Sequence, residues 1–78
     1  MAKIRVGNAK KQPVRVVLEP WALEWMLNPD DYLDFIAVTN GAQNEWFMVE
    51  DSDYGLIVWA QEAGMLVDVY DSKGCLVG

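Results

Sequence analysis

Short stretches of alternating apolar and polar side chains, separated by turn-forming residues, are the feature that most limits the fold of this chain. Successive side chains of a β-strand point to opposite faces, so a strand with one buried face alternates with period two. Ile4 and Val6 alternate with Lys3 and Arg5 in this way. Pro, Gly, Asn and Asp interrupt the pattern about every 8–12 residues, a spacing that is typical of a small β-sandwich or barrel.

The pattern predicts seven or eight short strands and no long helix. The predicted strands occupy 3–6, 14–19, 21–27, 32–39, 45–50, 56–60, 65–71 and 75–77, the last as an edge strand. Segment 56–60 is apolar throughout, which predicts a central strand that is buried on both faces. We therefore expect a single all-β domain over residues 1–78, built as a small antiparallel sandwich or barrel.

Two interpretations of residues 20–27 stay open. As a strand, this segment places Leu23 and Leu27 on the same face. The alternative is a short helical turn that begins with Pro20, where proline is well tolerated. Because Pro29 follows so closely, such a helix has barely two turns. The strand is therefore the preferred interpretation.

A resemblance to known proteins covers residues 14–71. It rests on the motif Leu18-Glu19-Pro20-Trp21, on a proline-containing turn at 27–31, and on the Gly-Leu-Ile-Val-Trp strand at 55–59. These features are similar to those of a group of small uncharacterised bacterial proteins with a Leu-Glu-Pro-Trp motif. The chain departs from that group at Ala22 and Asp30, where glycine is usual. The resemblance implies a bacterial protein and a strand at 21–27, and it transfers no catalytic residue.

Several residue types that catalysis requires are scarce in this chain. Histidine, the usual general base and the commonest metal ligand, is absent. The single cysteine, Cys75, forms neither an internal disulfide nor a cysteine metal cluster. The glycines are scattered singly, so there is no phosphate-binding loop. We therefore expect a protein that is not an enzyme and that holds no cofactor and no metal.

Charge is distributed unevenly along the chain, which has a net charge of −6. Five of the six basic residues lie within the first fifteen positions, and all twelve acidic residues follow them. An acidic body repels nucleic acid and suits a basic partner. No stretch approaches the ~18 apolar residues of a membrane helix, and the N-terminus does not read as a secretory signal. We expect a cytoplasmic protein that binds neither nucleic acid nor membranes.

Aromatic side chains are the strongest candidates for binding. The chain has two Phe, three Tyr and four Trp, more than one face of a small sheet can bury, so some are expected at the surface. The candidate binding residues are Trp21, Trp25, Tyr32, Trp46, Tyr54 and Trp59.

The function that these observations predict is a non-enzymatic protein-interaction module. Its partner is another protein or a second copy of the chain, since edge strands and exposed aromatic residues both favour association. Two alternatives stay open. One is a binder of a small ligand or carbohydrate that uses surface Trp and Tyr side chains. The other is an acidic inhibitor or immunity-type protein.

Overall fold

The computed structural model of the protein describes residues 3–38, 47–60 and 66–78. These residues contain seven strands and no helix, so the all-β prediction is confirmed. Residues 20–22 form a turn that leads into a strand, which rules out the helical interpretation of 20–27. The strands are β1 (Lys3–Gly7), β2 (Val14–Glu19), β3 (Leu23–Leu27), β4 (Tyr32–Ala37), β5 (Phe47–Ser52), β6 (Gly55–Ala60) and β7 (Val67–Asp71).

The strands form two sheets that face each other as a sandwich. Sheet A has the order β1-β4-β7, and sheet B has the order β3-β2-β6-β5. Every neighbouring pair is antiparallel except β2 and β6, which are parallel. The parallel pair departs from the predicted antiparallel arrangement. It arises because the first strand of the β2–β3 hairpin lies beside the second strand of the β5–β6 hairpin.

Strand limits differ from the predicted ones at several places. β3 begins at Leu23 and not at residue 21, because residues 20–22 form the preceding turn. β5 extends to Ser52, two residues beyond its predicted end. Residues 75–77 do not form the predicted eighth strand and instead make a single bridge between Leu76 and Tyr70. The backbone N–H of Val77 also donates to the carbonyl of Val69, at 2.7 Å, so this segment lies along the free edge of β7. The predicted strand positions 39, 45–46 and 65 lie outside the described residues.

The core lies between the two sheets and is built from one side chain in every two along the strands. Phe35 and Val69 contribute from sheet A, and Val58 contributes from sheet B. An edge-to-face contact between Trp25 of β3 and Phe35 of β4, with ring centroids 5.9 Å apart, joins the two sheets. The buried core consists of Val6, Val16, Leu18, Leu27, Leu33, Phe35, Val58 and Val69.

Asn8 is a buried polar residue that holds the β1–β2 loop against the end of β3. Its side-chain amide donates to the carbonyls of Gln12 and Leu27, at 2.8 and 2.9 Å. Its side-chain oxygen accepts the backbone N–H of Lys10 at 2.9 Å. Because every polar atom of this side chain is paired, its burial does not carry the cost of an unsatisfied group.

Two residues adopt a backbone conformation that glycine accommodates best. Ala22, in the turn before β3, has a φ of 57°, and Asp30, in the turn before β4, has a φ of 65°. L-residues lose roughly 1–2 kcal/mol in this left-handed region, although Asp tolerates it better than Ala. These are the two positions at which the proposed resemblance to a bacterial group led us to expect glycine. The resemblance itself stays a prediction.

We expect the substitution Ala22→Gly to stabilise the protein. Removing the Cβ relieves strain in the folded state, and the greater freedom of glycine in the unfolded chain offsets part of the gain. The free energy of unfolding should rise by about 0.5–1 kcal/mol. The gain for Asp30→Gly should be smaller, because Asp tolerates this conformation. Urea denaturation of the two variants measures both values, and a loss of stability in Ala22→Gly would contradict this account.

Candidate functional site

The outer face of sheet B, directed away from the core, carries apolar side chains on its two central strands. Val16 and Leu18 of β2 are buried in the core, so Val17 between them points outward. Val58 of β6 is also buried, so its neighbour Ile57 points outward. Val17 and Ile57 are directly paired in the β2–β6 register and are both half-buried. An apolar pair therefore occupies the centre of this outer face.

The same alternation adds apolar residues from β3, β5 and β6. Met48 of β5 is paired with Trp59 of β6, and Met26 of β3 is paired with Arg15 of β2. The exposed fraction is 45% for Met48 and 61% for Met26, and Trp59 is half-buried. These side chains extend the central apolar pair to both sides of the sheet.

Acidic side chains border this apolar surface. Glu24 of β3 lies opposite Val17, and Glu50 of β5 lies opposite Ile57, so one row across the sheet reads Glu-Val-Ile-Glu. In the next row, Glu19 lies beside Trp59. We call this surface the acidic-rimmed face; it consists of Arg15, Val17, Glu19, Glu24, Met26, Met48, Glu50, Ile57 and Trp59.

Two polar contacts fix side chains on the acidic-rimmed face. The indole N–H of Trp59 donates to Oε1 of Glu50, which orients both side chains. No donor among the described residues bonds to the second carboxylate oxygen. Nε of Arg15 lies 3.2 Å from Oε1 of Glu24. Because Arg15 is already paired with an acid, the net field of this face is negative.

The sequence had predicted that segment 56–60 is buried on both faces, and this prediction is wrong. Only Val58 is buried, whereas Ile57 and Trp59 are half-buried on the outer side. Strands that are apolar on both faces are normally covered on both. Within the described residues, sheet A covers the inner side of β6, and its outer side stays accessible to solvent.

The six aromatic residues singled out from the sequence do not converge on one site. Trp59 lies on the acidic-rimmed face. Trp25 packs toward the core against Phe35, and its indole N–H is 3.4 Å from the carbonyl of Val77. Trp46 lies outside the described residues.

Tyr32 lies on the opposite side of the sandwich, on the outer face of sheet A. The guanidinium carbon of Arg5 lies 3.9 Å from the centroid of the Tyr32 ring, a cation–π contact. The Tyr32 hydroxyl is 3.4 Å from the carbonyl of Ser72. These contacts occupy both the face and the hydroxyl of the ring, so they give Tyr32 a structural role in sheet A.

Trp21 and Tyr54 lie in two separate clefts. Trp21 lines a cleft of about 310 Å³ with Leu23 and Leu66, at one side of the sandwich. Tyr54 is 76% exposed in the β5–β6 turn. It lines a second cleft, of about 460 Å³, beside the β1–β2 loop, where Lys10 and Asp53 contribute charges of opposite sign.

Four apolar residues of this face were not predicted from the sequence as surface residues: Val17, Ile57, Met26 and Met48. β2 offers a signal for one of them, because Val17 takes the polar position of an alternating strand between Val16 and Leu18. An apolar residue at such a position marks a second apolar face. The uniformly apolar β6 contains no comparable signal, since its pattern fits burial on both faces equally well.

A charged cluster on the outer face of sheet A contrasts with the acidic-rimmed face. Arg5 donates two hydrogen bonds to Asp34, at 2.8 and 3.0 Å, and Nζ of Lys3 lies 3.8 Å from the same carboxylate. The Arg5 hydrogen bonds lower the pKa of Asp34 from its ordinary value, and they raise the pKa of Arg5. The pKa of Asp31 is also lowered, chiefly by the Ser72 hydroxyl and then by the backbone N–H of Tyr32.

We expect Asp34→Asn to destabilise the protein by about 1 kcal/mol at pH 7, since the bidentate pair is lost but Arg5 is half-exposed and screened by water. A carboxylate with a lowered folded-state pKa stabilises the fold above its unfolded pKa, near 3.9. That contribution disappears as the pH falls through the folded pKa, so variant and parent should converge in strong acid. Glu24→Gln is the control, because the Glu24 carboxylate is exposed whereas that of Asp34 is buried. It should change stability by less than about 0.5 kcal/mol. Thermal denaturation between neutral pH and pH 2 measures the stability of each variant relative to the parent. A stability difference between Asp34→Asn and the parent that stays constant over this range would contradict the pairing of Asp34 with Arg5.

Neither a metal-binding group nor a membrane-spanning helix is found among the described residues. No cluster of three or more Cys, Asp or Glu side chains there could hold a metal ion. Over the same residues, no helix is long and apolar enough to cross a membrane. Comparison with protein families, with curated proteins and with solved structures finds no match to the chain.

Proposed function

We propose that the protein is a non-enzymatic protein-interaction module that binds its partner through the acidic-rimmed face. The observation that supports this most directly is the row Glu24, Val17, Ile57 and Glu50 across sheet B. Its apolar centre gains free energy when water is excluded, and its acidic ends can pair with charges at the rim of a partner. This organisation, with apolar residues inside and polar residues outside, is that of a protein-binding surface.

The partner that this face suits is a basic protein. Glu19, Glu24 and Glu50 surround the apolar centre, and the one cation of the face, Arg15, is already paired with Glu24. Two copies of this face would bring like charges together, and the resulting repulsion is unfavourable. The net charge of −6 on each copy increases that repulsion. A partner with a basic rim is attracted at long range and pairs with the acids on contact. An acidic inhibitor of a basic protein is one form that this function takes.

The substitution Ile57→Thr tests this proposal. Threonine keeps the β-branched shape but places a hydroxyl at the centre of the acidic-rimmed face. Ile36→Thr is a matched control, since Ile36 is also half-buried and outward-facing on a central strand, but in sheet A. Proteins captured by the parent from host cells are identified by mass spectrometry, and the dissociation constant is then measured with the purified partner.

We expect Ile57→Thr to weaken binding by about tenfold or more, as for a residue at the centre of an interface. Ile36→Thr should stay within about twofold of the parent, which is the effect of a residue outside the contact. Added salt should weaken binding to the parent, because opposite charges attract across the rim. If the two variants lost affinity equally, or if neither lost affinity, the partner would bind outside the acidic-rimmed face.

The cleft beside Tyr54 supports a second candidate function, the binding of a small ligand. Its volume of about 460 Å³ lies within the range of small-molecule sites, and Tyr54 offers an exposed ring for stacking. The test is a panel of sugars and aromatic metabolites, scored by the shift in melting temperature. A ligand of this cleft stabilises the parent but not Tyr54→Ala, whereas Ile57→Thr leaves the stabilisation unchanged.

A further inference from the structure

Within the described residues, the outer edge of β5 is not paired with another strand. Edge strands expose backbone N–H and C=O groups, and proteins usually protect them with Lys, Pro, bulges or a covering segment. β7 is covered by the backbone of residues 75–78. β1 carries Lys3 and Arg5 on its outer face. β3, the other edge strand of sheet B, lacks Lys, Pro and Gly, but the carbonyl of Leu27 at its end accepts the Asn8 side-chain amide. β5 (Phe-Met-Val-Glu-Asp-Ser) also contains no Lys, Pro or Gly, and no other described segment makes backbone hydrogen bonds to its outer edge.

β5 is also exposed on both of its faces. Met48, on the outer face, and Val49, on the inner face, have exposed fractions of 45% and 41%. Val49 is paired with the fully buried Val58, so its exposure shows that sheet A does not extend far enough to cover β5. An added strand would therefore bury apolar surface on both faces as well as satisfy backbone groups.

We propose that β5 pairs with an extended strand of the basic partner, which adds a fifth strand to sheet B. This deepens the proposed function and rests on it, because the added strand continues the acidic-rimmed face beyond Met48 and Glu50. Residues paired across neighbouring strands point to the same face. The side chains of β5 therefore specify those of the partner one by one.

The order of residues in β5 defines the partner sequence. Met48 and Val49 are apolar and lie on opposite faces, and Glu50 and Asp51 are acidic and also lie on opposite faces. The complementary strand has two adjacent basic residues next to two adjacent apolar residues. In antiparallel pairing it reads basic-basic-apolar-apolar from its N-terminus, and in parallel pairing the order is reversed.

The carboxylate of Glu50 is already oriented for this contact. Its Oε1 accepts the indole N–H of Trp59, so the side chain is held on the outer face, and within the part of the chain that the structure describes its other oxygen has no donor. A Lys or Arg of the added strand opposite Glu50 can donate to that oxygen. A second copy of β5 carries acids in this region, so self-pairing is disfavoured by like charges.

Synthetic peptides with the core sequences Arg-Lys-Val-Ile and Ile-Val-Lys-Arg, flanked by threonines, test the proposal. The alternating peptide Arg-Val-Lys-Ile has the same composition, and Glu-Glu-Val-Ile reverses the charge. A copy of the best peptide with alternate backbone nitrogens methylated cannot form the strand ladder. Binding is measured by titration, and the site is mapped by amide hydrogen exchange and NMR shift changes in the complete chain.

One of the two block peptides should bind about tenfold more tightly than the alternating, acidic and methylated peptides, and should slow amide exchange in β5. The variant carrying Glu50→Gln and Asp51→Asn should lose about fivefold or more in affinity. The control carrying Asp30→Asn and Asp68→Asn has the same net charge, changes no residue of the acidic-rimmed face, and should bind as the parent does.

Three results would overturn strand addition. In the first, all basic peptides bind equally, which indicates general charge attraction. In the second, the captured protein binds the parent, and Ile57→Thr abolishes that binding, but the amides of β5 exchange as fast in the complex as in the free protein. The proposed function then holds without strand addition. In the third, concentrated protein protects β5 without any peptide, which makes a second copy the occupant. Failure of the captured partner to respond to Ile57→Thr instead contradicts the proposed function itself.

Discussion

Replacing Gly55 by alanine is expected to lower the free energy of unfolding by about 3 kcal/mol or more, because substitutions that strain the main chain are among those with the largest losses. A Cβ at Gly55 would lie 2.3 Å from the carbonyl oxygen of Arg15, and the residue has a φ of 129°. The position of a Cβ is fixed by the backbone and the Arg15 carbonyl belongs to the main chain, so no side-chain rotation relieves the clash. Relief requires the start of β6 to move away from β2, which disrupts the parallel pairing at the centre of sheet B.

Gly74→Ala separates the effect of the clash from the effect of backbone conformation. Gly74 has a φ of 81°, yet a Cβ there would meet no atom within 4 Å. Its replacement should cost about 1–2 kcal/mol, the strain of a left-handed residue alone. Urea denaturation at pH 7 measures both variants. Equal losses for Gly55→Ala and Gly74→Ala would show that β6 does not lie as close to Arg15 as described.

Truncating Phe35 to alanine is the other change with a large expected effect. Phe35 is fully buried and contacts both Trp25 and Phe47, whose ring centroids are 5.9 and 6.4 Å away. Its loss removes the largest buried side chain and leaves a cavity between the two sheets. We expect a cost of about 3–5 kcal/mol, a large part of the stability of a domain this small.

Phe47→Ala is the matched control for Phe35→Ala, because it removes the same group from a half-buried position at the edge of sheet B. It should cost about half as much or less, since water reaches the site before the truncation. The same denaturation experiment gives both values. If Phe47→Ala proved the more damaging of the two, the centre of the core would lie nearer to β5 than to β4.

The strands were predictable because their alternation reflects a single physical cause, burial of one face. β2 was predicted with its observed limits, and within the described residues β1, β4, β6 and β7 each differ from prediction by one residue at one end. The strand at β3 followed from the short distance between Pro20 and Pro29. Burial of one face requires period two, whichever strands become neighbours.

Strand pairing was less predictable, because alternation does not determine which strands become neighbours. The parallel pairing of β2 with β6 brings together segments 40 residues apart, such as Val16 and Leu56, and nothing local records it. The segment 75–77 carries apolar residues like a strand, but its backbone makes only a few bonds along β7. Such contacts depend on the assembled sandwich and leave no period in the sequence.

The sequence predicted one type of residue at the candidate site, aromatic side chains, but not where in the fold the site lies. Aromatic residues were chosen because they dominate protein interfaces, and Trp59 does lie on the acidic-rimmed face. Trp25 contributes to core packing, and Tyr32 pairs with Arg5 on the other sheet. Val17 and Ile57 have ordinary strand side chains, and their importance comes from the face they share across two strands. That juxtaposition depends on the parallel pairing, which the sequence did not reveal.

The most direct test of the proposed protein-binding face is an NMR footprint of the captured partner on the isotope-labelled protein. We expect amide and side-chain signals to change for β2, β5 and β6, with the largest changes at Val17, Ile57 and Trp59. Signals of β1, β4 and β7 should change little, because these strands lie in the opposite sheet. A footprint centred on sheet A, or on the cleft beside Tyr54, would contradict the account.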